Sequence, residues 1–593
     1  MEDQRRFILA MVLSGLVFMA YYFFFVLPTQ QAARADAELE MERLNAEQAV
    51  ATSPSASAEV APVDQPREVL VATGARIEID APGIRGSLLT TGSRLDDITL
   101  NDYDKTLNPE DGQVELLSPV GGERASLVAD NWTMPGMAGD NLGLDTAWAV
   151  VSGTTLTPTT PVVLQTNIGG VDVTRTLSVD DHFLITTDDV LTNTGSQPVT
   201  LARRGVARQI TMPLGLTNFF IIQEGPISVL DDSYHDQTYK KTVKKSWTES
   251  GEAGWTGLTD KYWLHAAIAP QDGRTTVDYR HSLIDGKAVW DAIYTADAMT
   301  ITPGASVTST GYLYAGAKER AVLEAYEEDL GIIGMSRAID WGAMGLLVRP
   351  IMWALSKLGQ MLGNYGLGIL ALTFFIKLLM FPLFNKQYKS QAKMKKVMPE
   401  VKKMQERYKD DRVKLQQEMM GLYKKEGVNP AAGCLPIIPT MFVFFALYKA
   451  VFIDIDLRHE PFIGYIQDLS AAEPISILNG FGFLPFNGRP EGILAFIALG
   501  PLAILYGASM SLMYMLTPPT GDPTQAKIFK LMPWLFMFIL ASFPAGLLLY
   551  WVWNNILSFL QQWYITKKND VDTPVDAFFR KIFGRPDPVD TAE

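Results

Sequence analysis

Apolar residues are concentrated at the two ends of the chain, and a long polar region separates them. The first apolar run, Phe7–Leu27, has 21 residues without a charge. A helix of this length, at about 1.5 Å per residue, crosses a hydrocarbon layer of about 30 Å. The pattern predicts an N-terminal transmembrane anchor at residues 1–28. A cleaved signal peptide ending near Ala33-Arg34-Ala35 is the alternative, although the run exceeds the roughly 7–15 apolar residues of such signals.

Five further apolar segments follow residue 363, and each is long enough to cross a bilayer as a helix. Together with the anchor they predict a multi-pass α-helical membrane protein with six transmembrane helices, of which residues 364–566 supply a five-helix core. The five predicted spans are Asn364–Phe384, Ala431–Ile453, Ile493–Leu516, Ala526–Phe543 and Leu547–Ile565.

The segment before these spans, residues 336–363, has a different pattern. Asp340, Arg349 and Lys357 interrupt its apolar positions, and Pro350 lies near its middle. This pattern favours an amphipathic helix that lies in the membrane interface. A seventh transmembrane helix is the alternative.

The polar region between the two apolar regions divides into a linker and a domain. Residues 29–67 are rich in Ala, Glu, Ser and Pro, a composition typical of a flexible linker. Residues 68–335 are rich in Val, Thr, Ile and Leu, with turn-forming residues at short intervals, and segments such as Val171–Leu177 and Phe183–Leu191 have strand composition. These features predict an all-β sandwich.

The distribution of charge assigns these segments to sides of the membrane. Residues 29–330 hold 22 basic and 43 acidic side chains, a net charge of −21, whereas residues 386–427 hold 13 basic and 6 acidic side chains, a net charge of +7. Basic residues are enriched in cytoplasmic loops. Six spans that start from a cytoplasmic N-terminus place residues 386–427 and the tail 567–593 in the cytoplasm, and the β domain outside it.

The sequence does not indicate a disulfide bond, a metal site or a cofactor site. The single cysteine, Cys434, excludes an intramolecular disulfide, and the five histidines are scattered along the chain. We therefore expect no metal, no cofactor and no enzymatic activity.

Lys377 is the most informative residue of the predicted core, because it lies inside the apolar run Thr373–Leu383. A lysine in hydrocarbon costs about 2.5–3.5 kcal/mol on insertion scales and usually marks a functional site. It lies about eight residues, or roughly 12 Å of helix, from the predicted end of its span, which is farther than a lysine stem reaches. No carboxylate lies in any predicted span. We expect Lys377 to face a water-filled groove, with a snorkelling lysine as the alternative.

Other polar residues could line the same groove. Thr373 precedes Lys377 by four residues and therefore shares its helical face. A polar stripe with a four-residue repeat runs along the last predicted span and consists of Tyr550, Asn554, Ser558 and Gln562. Such residues can also simply hold membrane helices together. With a lysine nearby, we favour a shared polar groove.

The basic segment 386–427 has two apolar helical faces and predicts an antiparallel helical hairpin with a turn near residues 409–411. Its basic surface could meet ribosomal RNA, lipid headgroups or a nascent chain; orientation of the chain in the membrane is the simpler role. One face comprises Val397, Val401, Met404 and Tyr408, and the other comprises Val413, Met420 and Tyr423.

The predicted core resembles the YidC/Oxa/Alb insertases in three runs, residues 364–394, 415–451 and 543–565. The pattern EMMxLYKxxxVNPxxGCLP in the second run is highly specific for this family. Trp255–Trp263 and Leu313–Lys318 are similar to the Gram-negative type, in which a large periplasmic domain follows the first span. The resemblance covers nearly the whole chain.

The resemblance implies an insertase and chaperone of the bacterial inner membrane, with a hydrophilic groove and without nucleotide hydrolysis. It implies a β-supersandwich fold for the periplasmic domain. The implied partners are nascent membrane proteins, the Sec translocon, the ribosome and membrane lipids, with no specific DNA binding. The basic groove residue maps onto Lys377, and Met441 and Phe442 map onto the face along which a substrate helix slides. The other groove positions are Thr373, Thr440, Tyr550 and Trp551, to which the polar stripe adds Asn554.

The chain departs from the family pattern at two groove positions. Many bacterial members have arginine where this chain has Lys377, so the charge is kept but bidentate hydrogen bonding is lost. A glutamine that is often present at the position of Thr440 is absent. The tail 567–593, with 5 basic and 6 acidic residues, does not predict a basic ribosome-binding extension.

Two other classes of function are alternatives. A solute transporter or channel with Lys377 in its path would predict acidic partners or internal repeats among the spans, and the sequence shows neither. A membrane-anchored protein that binds or processes carbohydrate through its β domain would need carboxylates facing a cleft. The sequence contains many carboxylates but does not indicate which of them face each other.

Overall fold

The computed structural model describes residues 65–122, 124–135, 142–213, 216, 222–284, 286–408, 411–427, 437–484, 497–517 and 523–569, and positions 571, 573, 575, 576 and 580. The predicted anchor, nearly all of the linker, most of the tail and the hairpin turn at 409–410 lie outside these residues, as do the beginnings of the spans predicted to start at Ala431 and Ile493. The chain divides between Gly342 and Ala343 into two compact units, a β domain and a helical core.

The β domain contains two sheets whose described strands pair almost entirely antiparallel. The eleven-stranded sheet consists of β1 (Arg76–Asp80), β2 (Ile84–Leu89), β3 (Arg94–Asp104), β4 (Gln113–Leu117), β5 (Ser126–Thr133), β7 (Thr155–Leu156), β11 (Val199–Ile210), β14 (Trp247–Glu252), β17 (Arg274–Ile284), β18 (Lys287–Ala296) and β19 (Met299–Ile301). The nine-stranded sheet consists of β6 (Ala149–Ser152), β8 (Val162–Ile168), β9 (Val171–Val179), β10 (Leu184–Asn193), β12 (Gly225–Leu230), β13 (Ser233–Asp236), β15 (Gly254–Thr259), β16 (Trp263–Ile268) and β20 (Ser306–Ala317).

Strand order follows from these pairings. The larger sheet runs β14-β17-β18-β11-β5-β3-β2-β1-β7, with β19 on β11 and β4 on β3, and the smaller runs β13-β12-β15-β16-β20-β10-β9-β8-β6. Three short helices accompany the sheets: α1 (Arg67–Val71), α2 (Tyr239–Lys244) and α3 (Arg320–Asp329). The predicted β-sandwich is confirmed, although the domain is mostly β and not all-β.

Alternation along β9 shows how the sequence specifies an inner face. Its odd-numbered residues are buried and the residues between them are partly exposed. Because side chains of a strand point alternately to the two faces of its sheet, this period of two lines one face with a core. The buried set is Val171, Val173, Arg175, Leu177 and Val179, so one arginine occupies a core position.

Arg175 belongs to an ionic network that joins the two sheets. Its guanidinium donates to both carboxylate oxygens of Asp189 on β10, at 2.8 and 2.7 Å, and to the backbone carbonyl of Asp130 on β5, at 2.6 Å. Arg203 on β11 lies 2.7 Å from Asp130 and 3.5 Å from Asp189. All four side chains are at most 1% exposed. Burial raises the pKa of Asp189, but the two arginines outweigh it and hold that pKa below its usual value.

Replacing Asp189 by asparagine should destabilise the β domain by about 3–5 kcal/mol, because the two buried arginines keep their charge and lose half of its compensation. The neighbouring Asp188→Asn is the matched control. Asp188 is exposed on the opposite face of β10, where it accepts the Thr310 hydroxyl at 2.6 Å, so its loss should change stability by less than about 0.5 kcal/mol. Thermal unfolding of the purified full chain measures both; equal melting temperatures for the two variants would contradict the role of the network.

The helical core is built from eight described helices. They are α4 (Gly345–Leu362), α5 (Tyr365–Leu379), α6 (Phe381–Arg407), α7 (Arg412–Lys425), α8 (Ile437–Ile453), α9 (Pro501–Leu516), α10 (Pro523–Leu540) and α11 (Ala545–Lys568).

By length and composition, no single helix among the described residues passes as a membrane span, whereas α5 and α6 pass as a bent pair. Shorter apolar helices lie at Pro439–Ile453, Pro501–Leu516 and Ile528–Leu540.

The segment 336–363, predicted to be an interfacial helix, contains α4, which is amphipathic. Its buried residues recur every three or four positions and lie on one face, whereas Leu346 is 91% exposed. The buried face consists of Val348, Met352, Leu355, Ser356 and Gly359.

The break between α5 and α6 differs from the sequence prediction. A single helix over Asn364–Phe384 was expected, but α5 ends at Leu379 and the chain turns by 68° before α6 begins. Pro382 in the first turn of α6 has no amide hydrogen to donate to the carbonyl four residues earlier, so it interrupts the helix. Lys377 therefore lies in the last turn of α5. The prediction that the same helix continues for about eight residues beyond Lys377 was wrong.

The predicted hairpin is formed by α6 and α7. Of the three residues expected at the contact on α7, only Tyr423 packs there among the described residues. Val397 and Val401 on α6 pack against Leu422 on α7. Val413 and Met420, expected at this contact, are 69% and 61% exposed. The face of α7 that is buried against α6 contains Leu422, with Met419 and Tyr423 beside it.

The loop 454–484 connects several helix ends of the core. The Asn364 side chain caps α5 by accepting from the amide of Leu367 at 3.0 Å and donates to the loop carbonyl of Phe462 at 3.1 Å. At the start of α11, the amides of Ala545 and Gly546 donate to loop carbonyls at 2.7 and 2.9 Å.

Glu473 connects the same loop to α9. Its carboxylate is 1% exposed and accepts from the amides of Leu502 and Ala503 in the first turn of α9, at 2.9 and 3.2 Å. A negative charge at a helix N-terminus satisfies free amides and interacts favourably with the helix dipole. The loop and the ends of α5, α9 and α11 are therefore held together by hydrogen bonds.

Replacing Glu473 by glutamine should lower the stability of the helical core by about 1–3 kcal/mol, because an amide nitrogen would face backbone amides that need an acceptor. The control is Glu418→Gln on the exposed face of α7. Thermal unfolding of both variants in the same detergent tests this, and an unchanged Glu473→Gln transition would show that the cap contributes nothing to stability.

Candidate functional site

A pocket opens in the helical core between α5, α8 and α11, at the point where α5 bends into α6. Its empty volume, including the space open to solvent, is about 280 Å³. Both polar and apolar side chains line it. The lining residues are Thr373, Ile376, Lys377, Met380, Phe384, Thr440, Val443, Tyr550 and Asn554.

The Lys377 ammonium is the only charged group among these lining residues. Nζ donates to the Ser558 hydroxyl at 2.6 Å, and it lies 4.4 Å from the centre of the Phe384 ring. Ser558 in turn donates to the backbone carbonyl of Asn554 at 2.6 Å. The described part of the chain gives Lys377 no carboxylate within ion-pair distance. A single hydroxyl and one aromatic face leave part of its hydrogen-bonding capacity to water or to a ligand.

The predicted groove residues fall into two groups. Thr373, Lys377, Thr440, Tyr550 and Asn554 line the pocket together. The Thr373 hydroxyl donates at 2.7 Å to a backbone carbonyl of its own helix. Its side chain can therefore offer a ligand in the pocket only its methyl group and an oxygen lone pair.

Trp551 belongs to the second group, because it does not line the pocket. Its ring is packed in an aromatic cluster, with centroid distances of 5.6 Å to Phe444, 5.7 Å to Tyr506 and 5.8 Å to Phe543. Such packing supports the wall of the site. Met441 and Phe442 do not line it either; they follow Thr440 on α8, and their side chains are 50% and 52% exposed.

Ser558 was expected on the polar stripe that lines the groove, but its hydrogen bond with Lys377 was not predicted. Phe384, which also contacts Lys377, was not assigned to the site from the sequence. Phe384 follows Lys377 by seven residues, which is two helical turns and hence the same side of a helix, and this spacing was the available signal. The remaining stripe residue, Gln562, donates to Gln391 on α6 at 3.0 Å and to the carbonyl of Leu516 at 3.2 Å.

The arrangement is suited to binding an anionic or polar segment. One ammonium, with the hydroxyl of Tyr550 and the amide of Asn554 nearby, can replace water around a carboxylate or a peptide group. No three His, Cys, Asp or Glu side chains converge as possible metal ligands anywhere in the described ranges.

Comparison with known proteins shows the family of the chain. The model of the YidC periplasmic domain matches residues 76–354, and the model of the 60Kd inner membrane protein matches residues 357–572. A membrane protein insertase YidC from Maricaulis maris is 39% identical over 589 residues, which cover 98% of this chain and 99% of the relative. The chain belongs to the YidC insertase family.

Further YidC proteins extend this comparison. The protein from Rhizobium meliloti is 37% identical over 595 residues, 99% of each chain. A crystal structure of an active YidC insertase aligns with 84% of this chain at 16% identity and a TM-score of 0.34. The family expected from the sequence motifs is confirmed, and the chain has the YidC organisation of a periplasmic β-sandwich domain followed by a helical core in the inner membrane.

Proposed function

We propose that this YidC-family insertase moves nascent membrane proteins into the bilayer through the pocket around Lys377. The observation that carries the proposal is an ammonium with no carboxylate within ion-pair distance among the described side chains, at the wall of an open pocket lined by both polar and apolar side chains. An acidic or polar leading segment of a client would be drawn to this charge. Thr373, Thr440, Tyr550 and Asn554 would then replace part of its hydration, which lowers the cost of leaving water.

Release into lipid would occur along α8. Met441 and Phe442 expose half of their side chains immediately after Thr440, and a flexible thioether accepts apolar surfaces of many shapes. A client helix that leaves the pocket along this face exchanges polar for apolar contacts. Burial of its apolar residues in lipid drives the step, so the proposal includes no nucleotide hydrolysis, no cofactor and no catalytic residue.

The proposed topology has six spans. The anchor 1–28 and the five spans of residues 364–566, which contain α5, α8, α9, α10 and α11, cross the inner membrane with both termini in the cytoplasm. The β domain 68–335 is then periplasmic, residues 336–363 lie in the interface, and the hairpin 386–427 is cytoplasmic. The excess of basic residues in the hairpin supports this orientation.

The proposed partners beyond the clients are the ribosome, the Sec translocon and lipid headgroups. The hairpin has a net charge of +7 and exposes most of its lysines, which favours contact with phosphate-rich surfaces. A nascent chain leaving a ribosome at this hairpin would be delivered close to the pocket, because α6 begins at the pocket wall.

Lys377→Ala should slow insertion of a single-span client with an acidic leading segment by roughly ten- to hundredfold, the equivalent of a charged hydrogen bond of about 1.5–3 kcal/mol. Lys377→Arg should retain most of the activity, since the charge remains. The measurement is protease protection of the client in cells depleted of the protein and rescued with each variant.

The matched control is Lys357→Ala, an exposed lysine on α4 outside the pocket. A client whose leading carboxylates are replaced by amides should show a smaller difference between Lys377→Ala and the unaltered chain. Full rescue by Lys377→Ala with the acidic client would remove the charge from the mechanism, and failure of the unaltered chain to rescue would reject the proposed function.

A further inference from the structure

The groove lysine and its aromatic neighbour lie on opposite sides of the bend at Met380. Lys377 is in the last turn of α5, and Phe384 is in the first turn of α6. The ammonium nevertheless lies 4.4 Å from the Phe384 ring centre, while Ser558 on α11 accepts its hydrogen bond from another side. Three helices therefore determine the position of one charge.

Phe384 is itself held by the contact between α6 and α11. Its ring stacks on Tyr388 with a centroid distance of 6.1 Å and an interplanar angle of 17°, and both rings form a buried cluster with Ile565 of α11. Farther along, the side chains of Gln391 on α6 and Gln562 on α11 are joined by a 3.0 Å hydrogen bond. The position of the Phe384 ring thus depends on how α6 lies against α11.

We infer that Phe384 and Ser558 are positioning residues that hold Lys377 in a shielded resting state, and that tilting of α6 about the bend at Met380 exposes the ammonium to an acidic client segment. This inference rests on the proposed function and adds to it a mechanism that controls the exposure of the Lys377 ammonium. We name the three side chains Lys377, Phe384 and Ser558 the lysine clamp.

The strengths of the contacts suit such a device. A cation over an aromatic ring and a neutral hydroxyl acceptor together keep the charge from being unsatisfied when the pocket is empty. A carboxylate is a stronger partner than either, because a hydrogen bond between two charged groups gains from both charges. An arriving acidic segment can therefore displace the clamp, whereas an apolar segment cannot.

The geometry also provides leverage. The α6 helix has 27 residues and is about 40 Å long, whereas Phe384 lies only about 5 Å along the axis from the bend. A rotation of roughly 20° moves the far end by about 14 Å and the ring by about 2 Å. A large partner bound to the hairpin can produce such a rotation, and 2 Å is enough to remove a 4.4 Å ring contact.

The first test measures how reactive Lys377 is in the full chain in lipid nanodiscs. A small water-soluble N-hydroxysuccinimide ester labels lysines, and mass spectrometry gives the rate at each site. Phe384→Leu keeps an apolar side chain but removes the ring face, and Lys377 should then react at least about threefold faster. Phe384→Trp keeps a ring face and should restore the slow rate. Lys357, exposed on α4, should react equally in all variants.

The pattern across variants separates positioning from packing. Equal Lys377 rates in the unaltered chain, Phe384→Leu and Phe384→Trp would overturn the clamp. Equally raised rates in both variants would also overturn it, because any disturbance of the packing would then suffice. The labelling experiment contains no client, so its failure leaves the insertion assay with Lys377→Ala unaffected, and the two proposals can fail separately.

A second test addresses the tilt. Gln391→Cys and Gln562→Cys, in a chain whose native cysteine is replaced by Cys434→Ala, are joined by a short bis-maleimide that ties α6 to α11. Tying should reduce the labelling of Lys377 and slow insertion of the acidic client at least about threefold relative to the same chain with each cysteine capped separately. If the tied and capped chains insert the client at the same rate, α6 does not need to move and the tilt is rejected.

Discussion

The helical core is organised around one ammonium group that has no carboxylate beside it in the described structure. An isolated charge in an apolar bundle is expensive unless water or polar groups reach it. Lys377 obtains one hydroxyl, one aromatic face and an opening to solvent. The bend of the chain, the open volume and the polar stripe on α11 all meet at this charge. In the described residues, the incomplete packing at this point gives the charge access to water.

In the β domain, by contrast, the buried charges have partners of opposite sign. The positive charges of Arg175 and Arg203 are balanced by the carboxylates of Asp130 and Asp189, and the four side chains form ion pairs with each other between the two sheets. Such a network fixes which residues face each other but leaves nothing for a ligand. Basic side chains thus have a structural role in the β domain and are available for binding in the helical core. The difference is that the carboxylates that balance Arg175 and Arg203 belong to the chain, whereas the described residues place none beside Lys377.

The sequence predicted those features that depend on local pattern. The β alternation, the amphipathic helix before the core and the family follow from periodicity, charge and motifs. Lys377, Thr373 and Tyr550 line one pocket, as expected, and the functional role of that pocket stays a prediction. The bend at Met380 was missed because the hydropathy of residues 364–384 is continuous across Pro382, so apolar content outweighed the helix-breaking signal. The inward arginine at position 175 and the contact of Phe384 with Lys377 depend on tertiary partners, which a single sequence does not reveal. The face of α7 that packs against α6 was in part predicted wrongly for the same reason.

The loop 454–484 has a consequence for how the chain is itself made. In lipid, helices gain little from burying apolar surface against each other, so polar ties contribute much to holding a bundle together. Here donors at the ends of α5, α9 and α11 all bond to acceptors of one loop, namely the Glu473 carboxylate and several backbone carbonyls. In the proposed orientation this loop lies on the periplasmic side. In that orientation its carboxylates cross the membrane before the core assembles, and newly made copies of this chain would themselves be demanding clients of an existing insertion machinery.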